Sequence, residues 1–540
     1  MTLDGFLTFL GLAAAVYAII PPVARLRIRL QLWPQVFLAV VAILLALYFE
    51  FYKFVALPCP ALFGRACGAL TMAADGPFSP QMAAFLVVLV WMVLAFLVAT
   101  LLPPSHRSLR PMADLLEQLF HQARYGEAVD FVFPHLDFVA RAQSRKLWPQ
   151  RAHDWLAGNG ISDIEDWLEE TDETRKKSAW RRRLRPLAMI VPVGDSAQES
   201  AERILNLIYL SRQFMEYLSM QRPSAAAQLL TLDTYQRFDF SDRLLGSLVA
   251  TTGSRLYDEV ERNAQYEGIG DNLVVGHNFI LRAYFKDARV AERLSAWKPI
   301  GDHIISHVRS GVPAVRDKLN GKSEDFENHQ WRDPVIVAIA FFDLMIRSAF
   351  SQNVENHMWL PYLDHFIDEL EQVYDLNGPD INIQAEFPTW ASRLIYEIIS
   401  KLGGWFDLAR KAPEGSLHGV FPSSLHSGTP SIPANAARSL GISLRHIVCS
   451  QRIGEDFARY MVECVMRDLR YFVQPGNEEA RRFLIKCIVT GGGRDNDKVY
   501  CARLAQLMSG IDYILQDDVS DLVEAVQEAH PETSVRIFNP

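Results

Sequence analysis

Abundant cysteine, excess positive charge and an unusual proline or glycine content are all missing from this 540-residue sequence. Six cysteines are too few for a small disulfide-stabilised scaffold. The 63 acidic residues outnumber the 54 basic ones and give a net charge of −9, so the positive field typical of general nucleic-acid binders is absent. With 49% hydrophobic residues, 30 glycines and 28 prolines, the composition excludes a disordered or collagen-like chain. The length predicts several domains.

The sequence also lacks the familiar motifs of catalysis and nucleotide binding. It contains no HExxH metal motif, no GxSxG nucleophile elbow and no protein-kinase signature. The stretch TGGGR at residues 490–494 lacks the lysine and hydroxyl residue of a P-loop and the spacing of a Rossmann loop. We interpret it as the end of a helix. These absences leave enzymatic activity uncertain and less favoured, and they predict no cofactor.

Charged residues are nearly absent from three apolar stretches at the start of the sequence, at about residues 5–24, 35–52 and 81–102. As a helix, the charge-free third stretch would be about 33 Å long, enough to cross a hydrocarbon core of about 30 Å. The second carries one charge, Glu50, near its end, and the first spans only with its final prolines included. We predict a membrane anchor of three transmembrane helices in residues 1–104. The missing internal charge argues against a transporter.

Basic residues beside these stretches predict their orientation. Arg25, Arg27 and Arg29 follow the first stretch, and Arg107 and Arg110 follow the third. The loop between the second and third stretches has little positive charge. Because cationic loops stay on the cytoplasmic side, we expect the N-terminus outside and the long C-terminal region inside. We therefore predict a multi-pass protein of the plasma (inner) membrane.

The cysteines divide between the two predicted sides. Cys59 and Cys67 lie in the loop that we place outside, where an oxidising compartment would allow a disulfide. Two unpaired thiols are the alternative. The other four fall in the cytoplasmic part, match no zinc-binding spacing and are expected to be reduced and packed as small apolar residues: Cys449, Cys464, Cys487 and Cys501.

The region after the anchor has helical apolar spacing almost throughout. One example is Phe457–Phe472, where apolar residues recur every three or four positions. No convincing alternating strand occurs, so we predict an all-α class, either a bundle or a loose solenoid. The apolar run 334–342 is too short to span a membrane and predicts a buried helix. We divide the region into a charged juxtamembrane segment and two helical domains: 105–190, 191–410 and 436–540.

Residues 163–185 form a highly charged block, in which a run of acidic residues is followed by a run of basic residues. Three interpretations stay open: a solvated helix with paired charges, a cationic surface for anionic lipid or a partner protein, and a nucleic-acid contact. The neighbouring acids weaken the field, so nucleic acid is the least favoured. The membrane- or partner-binding candidates are Arg175, Lys176, Lys177, Trp180, Arg181, Arg182, Arg183 and Arg185.

Three weak candidates for chemistry remain. His303 and His307 are four residues apart, a spacing that can place two metal ligands on one helical face, but no third ligand is evident. His153-Asp154, with His121 upstream, has part of the pattern of a helical phosphohydrolase. A third cluster combines carboxylates with a histidine on one predicted helix, an acid–base pattern that is more often a solvated face: Asp364, His365, Asp368 and Glu369. We predict no metal site with a complete ligand set.

The combination of a charge-free anchor and a large helical body favours a protein that works by binding other proteins. We expect a scaffold, adaptor or sensor at the inner membrane face, whose partners are the lipid bilayer and other proteins. A homo-oligomeric membrane effector or channel subunit is the alternative, and a metal-dependent hydrolase is the third option.

Overall fold

A computed structural model describes most of the chain as α-helix. The described residues are 32–50, 80–101, 106–144, 196–265, 276–324, 326–355, 360–378, 381–425, 428–474, 476–493 and 497–529. Helix accounts for 78% of the structure, and these ranges contain no strand. The prediction of an all-α class is confirmed. Contacts divide the chain into two compact units, Met1–Phe214 and Met215–Pro540.

The described part of the first unit contains two long apolar helices, four shorter amphipathic ones and the start of a seventh helix, which crosses the boundary at Phe214. Their bounds are α1 Leu32–Glu50, α2 Pro80–Leu101, α3 Leu109–His121, α4 Tyr125–Val132, α5 Leu136–Ser144, α6 Ser196–Leu210 and α7 Arg212–Gln221. Helix α6 packs on α3 and α5, and α4 packs on α3. Leu116, Phe131, Leu136 and Ile204 are fully or almost fully buried in this group.

The described part of the second unit contains seventeen further helices. They are α8 Pro223–Thr231, α9 Arg237–Ala250, α10 Arg255–Gln265, α11 Phe279–Phe285, α12 Ala288–Arg293, α13 Trp297–Arg309, α14 Pro313–Leu319, α15 Phe326–His329, α16 Pro334–Ser351, α17 Pro361–Val373, α18 Trp390–Asp407, α19 Ile432–Cys449, α20 Glu455–Arg470, α21 Glu478–Thr490, α22 Lys498–Ser509, α23 Tyr513–Asp518 and α24 Ser520–Ala529. Short 3₁₀ turns also occur within each unit: His106–Ser108 and Phe133–His135 in the first, and Gln330–Arg332, Leu408–Lys411 and Leu417–Gly419 in the second.

Helices α1 and α2 pack against each other and coincide with the second and third predicted membrane spans. Their buried contacts include small residues, with Ala42 9% and Ala84 5% exposed. Small side chains let two helix backbones approach closely. The outer faces carry exposed apolar side chains such as Phe37 and Phe85. The first predicted span, residues 5–24, lies outside the described residues, and three spans remain a prediction.

One helix of the described ranges is long and apolar enough to cross a membrane, namely α16, Pro334–Ser351. However, 78% of its apolar window is buried inside the protein. Helices α10, α13 and α18 all contact it. Such all-round burial is typical of a core helix in a large domain. The prediction of a buried helix at residues 334–342 is therefore confirmed.

From α13 onward, the second unit is a stack of two helical layers. One layer contains α16, α18, α20, α22 and α24, and each of these helices packs on the next member of its layer. The other contains α13, α17, α19 and α21, packed in the same serial way. Contacts between α18 and α19 join the layers. Serial packing of alternate helices is the arrangement of α-solenoids, so it favours the solenoid over the compact bundle.

Two glycines permit close helix contacts or helix termination in the α19–α21 pair. A Cβ at Gly441 on α19 would lie 2.3 Å from the carbonyl oxygen of Cys487 on α21, so only glycine fits there. Gly491, at φ +57°, terminates α21 in the left-handed conformation that favours glycine. The amide of Gly492 then donates to the Cys487 carbonyl at 3.0 Å. The interpretation of this glycine stretch as a helix end is confirmed.

Two aspartates on α16 and at its start bind tryptophans of α18. Asp333 caps α16 by accepting from the amide of Val335 at 2.8 Å, and it accepts from the indole of Trp390 at 2.8 Å. Asp343, ten residues or nearly three helical turns further along α16, accepts from the indole of Trp405 at 2.7 Å. Each aspartate also pairs with a lysine, at 2.7 Å from Lys318 and 2.8 Å from Lys401, respectively. These polar links fix how α16 and α18 align.

Candidate functional site around helix α17

Several sequence-predicted residues lie outside the described ranges. These are the basic candidates Arg175, Lys176, Lys177, Trp180, Arg181, Arg182, Arg183 and Arg185, together with Cys59, Cys67, His153 and Asp154. Their predicted roles remain predictions. Of the four cysteines after residue 105, Cys487 and Cys501 are buried, Cys464 is half-buried and Cys449 is exposed, and all four are free thiols.

His303 and His307 lie one turn apart on α13 with stacked rings whose centroids are 6.1 Å apart. Burial lowers the pKa of both imidazoles, and the neighbouring His307 adds to the effect at His303. Both rings are therefore biased toward the neutral form. The described residues contain no group of three or more histidine, cysteine, aspartate or glutamate side chains that could hold a metal ion. The pair has no third ligand from this part of the chain.

The acidic cluster of α17 does not converge on one point. Asp364 and Glu369 are buried at 8% and 2% exposure, whereas His365 is exposed. Glu369 pairs with Arg309 of α13, whose Nε donates at 2.7 Å. Asp368 faces His446 of α19, with Nδ1 and Oδ1 3.6 Å apart. The expectation of a solvated helix face is therefore wrong for Asp364 and Glu369, because α17 lies between two other helices.

Asp364 is the most unusual carboxyl group of this seam between α13, α17 and α19. Ser439 and Ser443, one turn apart on α19, donate to its two oxygens at 3.3 and 3.4 Å. Burial raises the pKa of Asp364 well above its usual range, and the two hydroxyls only partly oppose this. No cation among the described residues pairs with it. The site thus favours a protonated, neutral carboxyl group at Asp364.

The seam is closed by further polar contacts between the same helices. Tyr362 donates to Asp302 of α13 at 2.8 Å, and burial and this carboxylate raise the pKa of the phenol. Ser450, just after α19, donates to Glu371 at 2.5 Å. Every acidic group named here thus bonds to a neighbouring helix. This pattern is that of a helix–helix junction, in which Asp364 is a buried carboxyl group held by two serine hydroxyls.

Besides Asp333, three other buried or half-buried carboxyl groups were not proposed as site residues from the sequence. Glu259 on α10 is fully buried and accepts from the amides of Ile280 and Leu281 at 2.9 and 3.1 Å, which caps α11. Burial raises its pKa despite these amides. Burial, with Asp407 nearby, raises the pKa of Asp468 to about 6. The third is Asp343, whose apolar surroundings in an 18-residue helix were the only signal in the sequence.

Comparison with known proteins finds no matching family model, no similar curated protein and no similar solved structure. Within the described ranges, the buried polar groups join helices to one another, as Asp343 and Glu259 do. A nucleophile aligned with a base and an orienting group, as acyl transfer requires, is not assembled around Asp364, whose two contacts are serine hydroxyls.

Proposed function

We propose that this protein is a membrane-anchored scaffold, adaptor or sensor whose stacked helical body binds other proteins at the inner face of the plasma membrane. The observation that carries the proposal is the combination, in one chain, of an apolar helix pair with outward-facing apolar side chains and a long two-layer helical stack.

Support for the anchor comes from the outer faces of α1 and α2. Phe37 is 68% exposed, Leu44 62%, Phe85 60% and Val93 53%. Contiguous exposure of this kind is unfavourable in water and typical of a membrane or protein interface. No charged side chain interrupts α2. The two helices are about 28–33 Å long at 1.5 Å per residue, compared with about 30 Å for a hydrocarbon core, and their described apolar parts are the shorter stretches Gln35–Phe49 and Ala83–Ala95.

Support for protein binding comes from the stack. Serially packed helices present their outer faces as one extended surface, which solenoid proteins use for partner recognition. Exposed apolar residues occur on this body too, including Val499 at 76% and Ile514 at 67%. The buried polar groups described above are occupied in joining helices, which leaves surfaces as the places where function can act.

The test of the anchor is alkaline carbonate extraction of membranes that contain the full-length chain. We expect the wild type to stay in the membrane pellet. The double variant Leu89→Asp/Val93→Asp places two charges in α2, each costing about 2.5–3.5 kcal/mol at a helix centre in a bilayer, and should move the protein to the soluble or aggregated fraction. The matched control Val499→Asp/Ile514→Asp also changes two exposed apolar residues and should remain in the pellet. Extraction of the wild type by carbonate would refute the anchor.

The test of partner binding is site-specific photo-crosslinking in cells. A photoreactive residue at position 499 or 514 should trap a discrete adduct, and one at buried Leu504 should not. Adducts absent from both exposed positions, and from a set of exposed positions along both layers, would contradict a scaffold.

One observation favours self-association as a second candidate. The indole nitrogen of Trp91 on α2 is buried, and no described residue accepts its hydrogen. An unsatisfied donor in an apolar environment costs about 1–3 kcal/mol, which a helix from another copy could recover. Light scattering of the detergent-solubilised protein should then give a discrete oligomer, and Trp91→Phe should lower the mass of this oligomer. An unchanged mass would show that the indole plays no part.

A further inference from the structure

A groove of about 550 Å³ lies between α3 and α6 in the first unit. Its apolar part is formed by Leu207 and Leu210, the latter 46% exposed. Its edge carries three acidic residues, Glu117, Glu199 and Glu202, and one basic residue. The groove therefore combines an apolar floor with an acidic rim.

The one basic residue of the groove is already engaged. Arg203 binds Asp114 at 3.1 Å and also bonds to Glu117. Glu199 is exposed and has no ion pair with the described residues. Asp114 and Glu117 share this one guanidinium, and the exposed Glu199 adds a third carboxylate to the lining, so these groups give the groove a net negative field. Such a surface complements a cationic segment that also carries an apolar or aromatic side chain.

We infer that this groove binds the basic segment 175–185 of the same chain. The segment carries seven cations and, at position 180, a tryptophan that suits the floor of Leu207 and Leu210. Arg185 and Glu199 are 199 − 185 = 14 residues apart in the sequence. A chain of that length reaches up to roughly 46–50 Å, so the connection to α6 imposes no barrier.

The contact sets two demands on the same cations. The proposed function places the basic residues 175–185 near anionic lipid, whereas the groove would hold them against carboxylates of their own chain. Only a competition between lipid and groove for these residues rests on the proposed function. The groove contact itself stands on charge, apolar lining and reach, and it is testable in detergent without a bilayer.

The first test is zero-length carbodiimide cross-linking of the detergent-solubilised full-length protein, read by mass spectrometry. We expect Lys176 or Lys177 to be joined to Glu199, Glu202 or Glu117 at low salt. Cross-linking should fall as ionic strength rises to 1 M, where the Debye length shrinks to about 3 Å. A mixture of isotope-labelled and unlabelled protein identifies links within one chain. Links only between chains, or no link to this groove, would overturn the inference.

The second test measures how fast an acylating reagent modifies Lys176 and Lys177. In Glu199→Gln/Glu202→Gln the modification should speed up about fivefold or more, since each exposed ion pair lost weakens binding by a factor of about two to five. The control Glu478→Gln/Glu479→Gln neutralises two exposed acids of α21 and should change nothing. Equal rates in both variants and the wild type would show that the groove does not hold the segment. Extraction of the wild type by carbonate would refute the membrane anchor but would not change the expected cross-links or acylation rates. The proposed function and the groove contact are therefore tested separately.

Discussion

The contact between Asp343 and its three donors gives the sharpest prediction about the stability of the second unit. Arg347 Nε, Lys401 Nζ and Trp405 Nε1 donate to its carboxylate at 2.9, 2.8 and 2.7 Å, and the aspartate is 4% exposed. Asp343→Ala removes all three acceptors at once and leaves the buried indole unsatisfied, at about 1–3 kcal/mol. The perturbation thus concentrates on one α16–α18 junction.

The magnitude depends on what the cations can do without the carboxylate. Breaking a buried ion pair costs about 3–5 kcal/mol when the remaining charge cannot reach water. Here the side chains of Arg347 and Lys401 are 35% and 26% exposed, so both can turn toward solvent. We therefore expect the lower end, about 3 kcal/mol. Trp405→Phe keeps most of the ring and removes only the N–H donor, and it should cost about 1–2 kcal/mol.

The assay is thermal unfolding of the full-length protein in detergent, supported by urea unfolding. A loss of about 3 kcal/mol lowers the Tm of a large domain by roughly 6 °C or more. The control is Asp258→Ala, because this aspartate is 54% exposed and lies 3.9 Å from Arg255. Such an exposed pair contributes at most about 1 kcal/mol. An Asp343→Ala variant as stable as this control would refute the reasoning.

The pH dependence gives a second check on the same group. Burial opposes ionisation of Asp343, but Lys401 and Arg347 outweigh it and lower its pKa. For a carboxyl group with a lowered folded-state pKa, the stabilisation is present above the unfolded pKa, ordinarily about 3.9. It is lost as pH falls through the lower folded pKa. The gap in Tm between wild type and Asp343→Asn should therefore be full at pH 6 and should shrink only in strong acid.

Three further predictions address other parts of the chain. The Tm of Asp364→Asn should rise relative to that of the wild type between pH 5 and pH 8. The raised pKa of Asp364 means that its stabilisation is present below the pKa of the unfolded state and is lost as pH rises through the pKa of the folded state. A Tm difference that does not change with pH would contradict this. Gly441→Ala should cost about 2 kcal/mol or more by urea unfolding, since its Cβ has no space, whereas Gly404→Ala, with open space around it, should be neutral or stabilising by up to about 1 kcal/mol. In intact cells kept reduced, an impermeant maleimide should label Cys59 but not Cys449, and the opposite labelling would reverse the proposed topology.

How far the sequence predicts this fold depends on whether a feature is local. Helical periodicity, the prolines in the first turn of α1 and α16, and the glycine that ends α21 are properties of short windows. The structure confirms the all-α class and the buried helix that these windows predict. Two-layer packing is not local. Nothing in a single sequence says that α18 contacts α16, α19 and α20, because each contact depends on surfaces of several helices.

The acidic cluster of α17 shows the same limit at the level of side chains. In sequence, Asp364 and Glu369 resemble charges of a solvated face, since four polar residues follow one another within six positions. Their partners lie far away in the chain: Ser439 is 75 residues from Asp364, and Arg309 is 60 residues from Glu369. A carboxyl group is recognisable as buried only when these distant helices are placed. The raised pKa of Asp364 is therefore a tertiary property.

The distribution of buried carboxyl groups also bears on what kind of function this body can carry. Asp343 and Glu259 lie at helix junctions, where each aligns one helix with another through several donors. A wrong register of α16 against α18 would bury Asp343 without Lys401 and Trp405, which is strongly unfavourable. These groups therefore specify one arrangement of the stack. A rigid stack of fixed register presents the same surface to every partner, which is the property that a scaffold requires and that catalysis alone would not demand over so many helices.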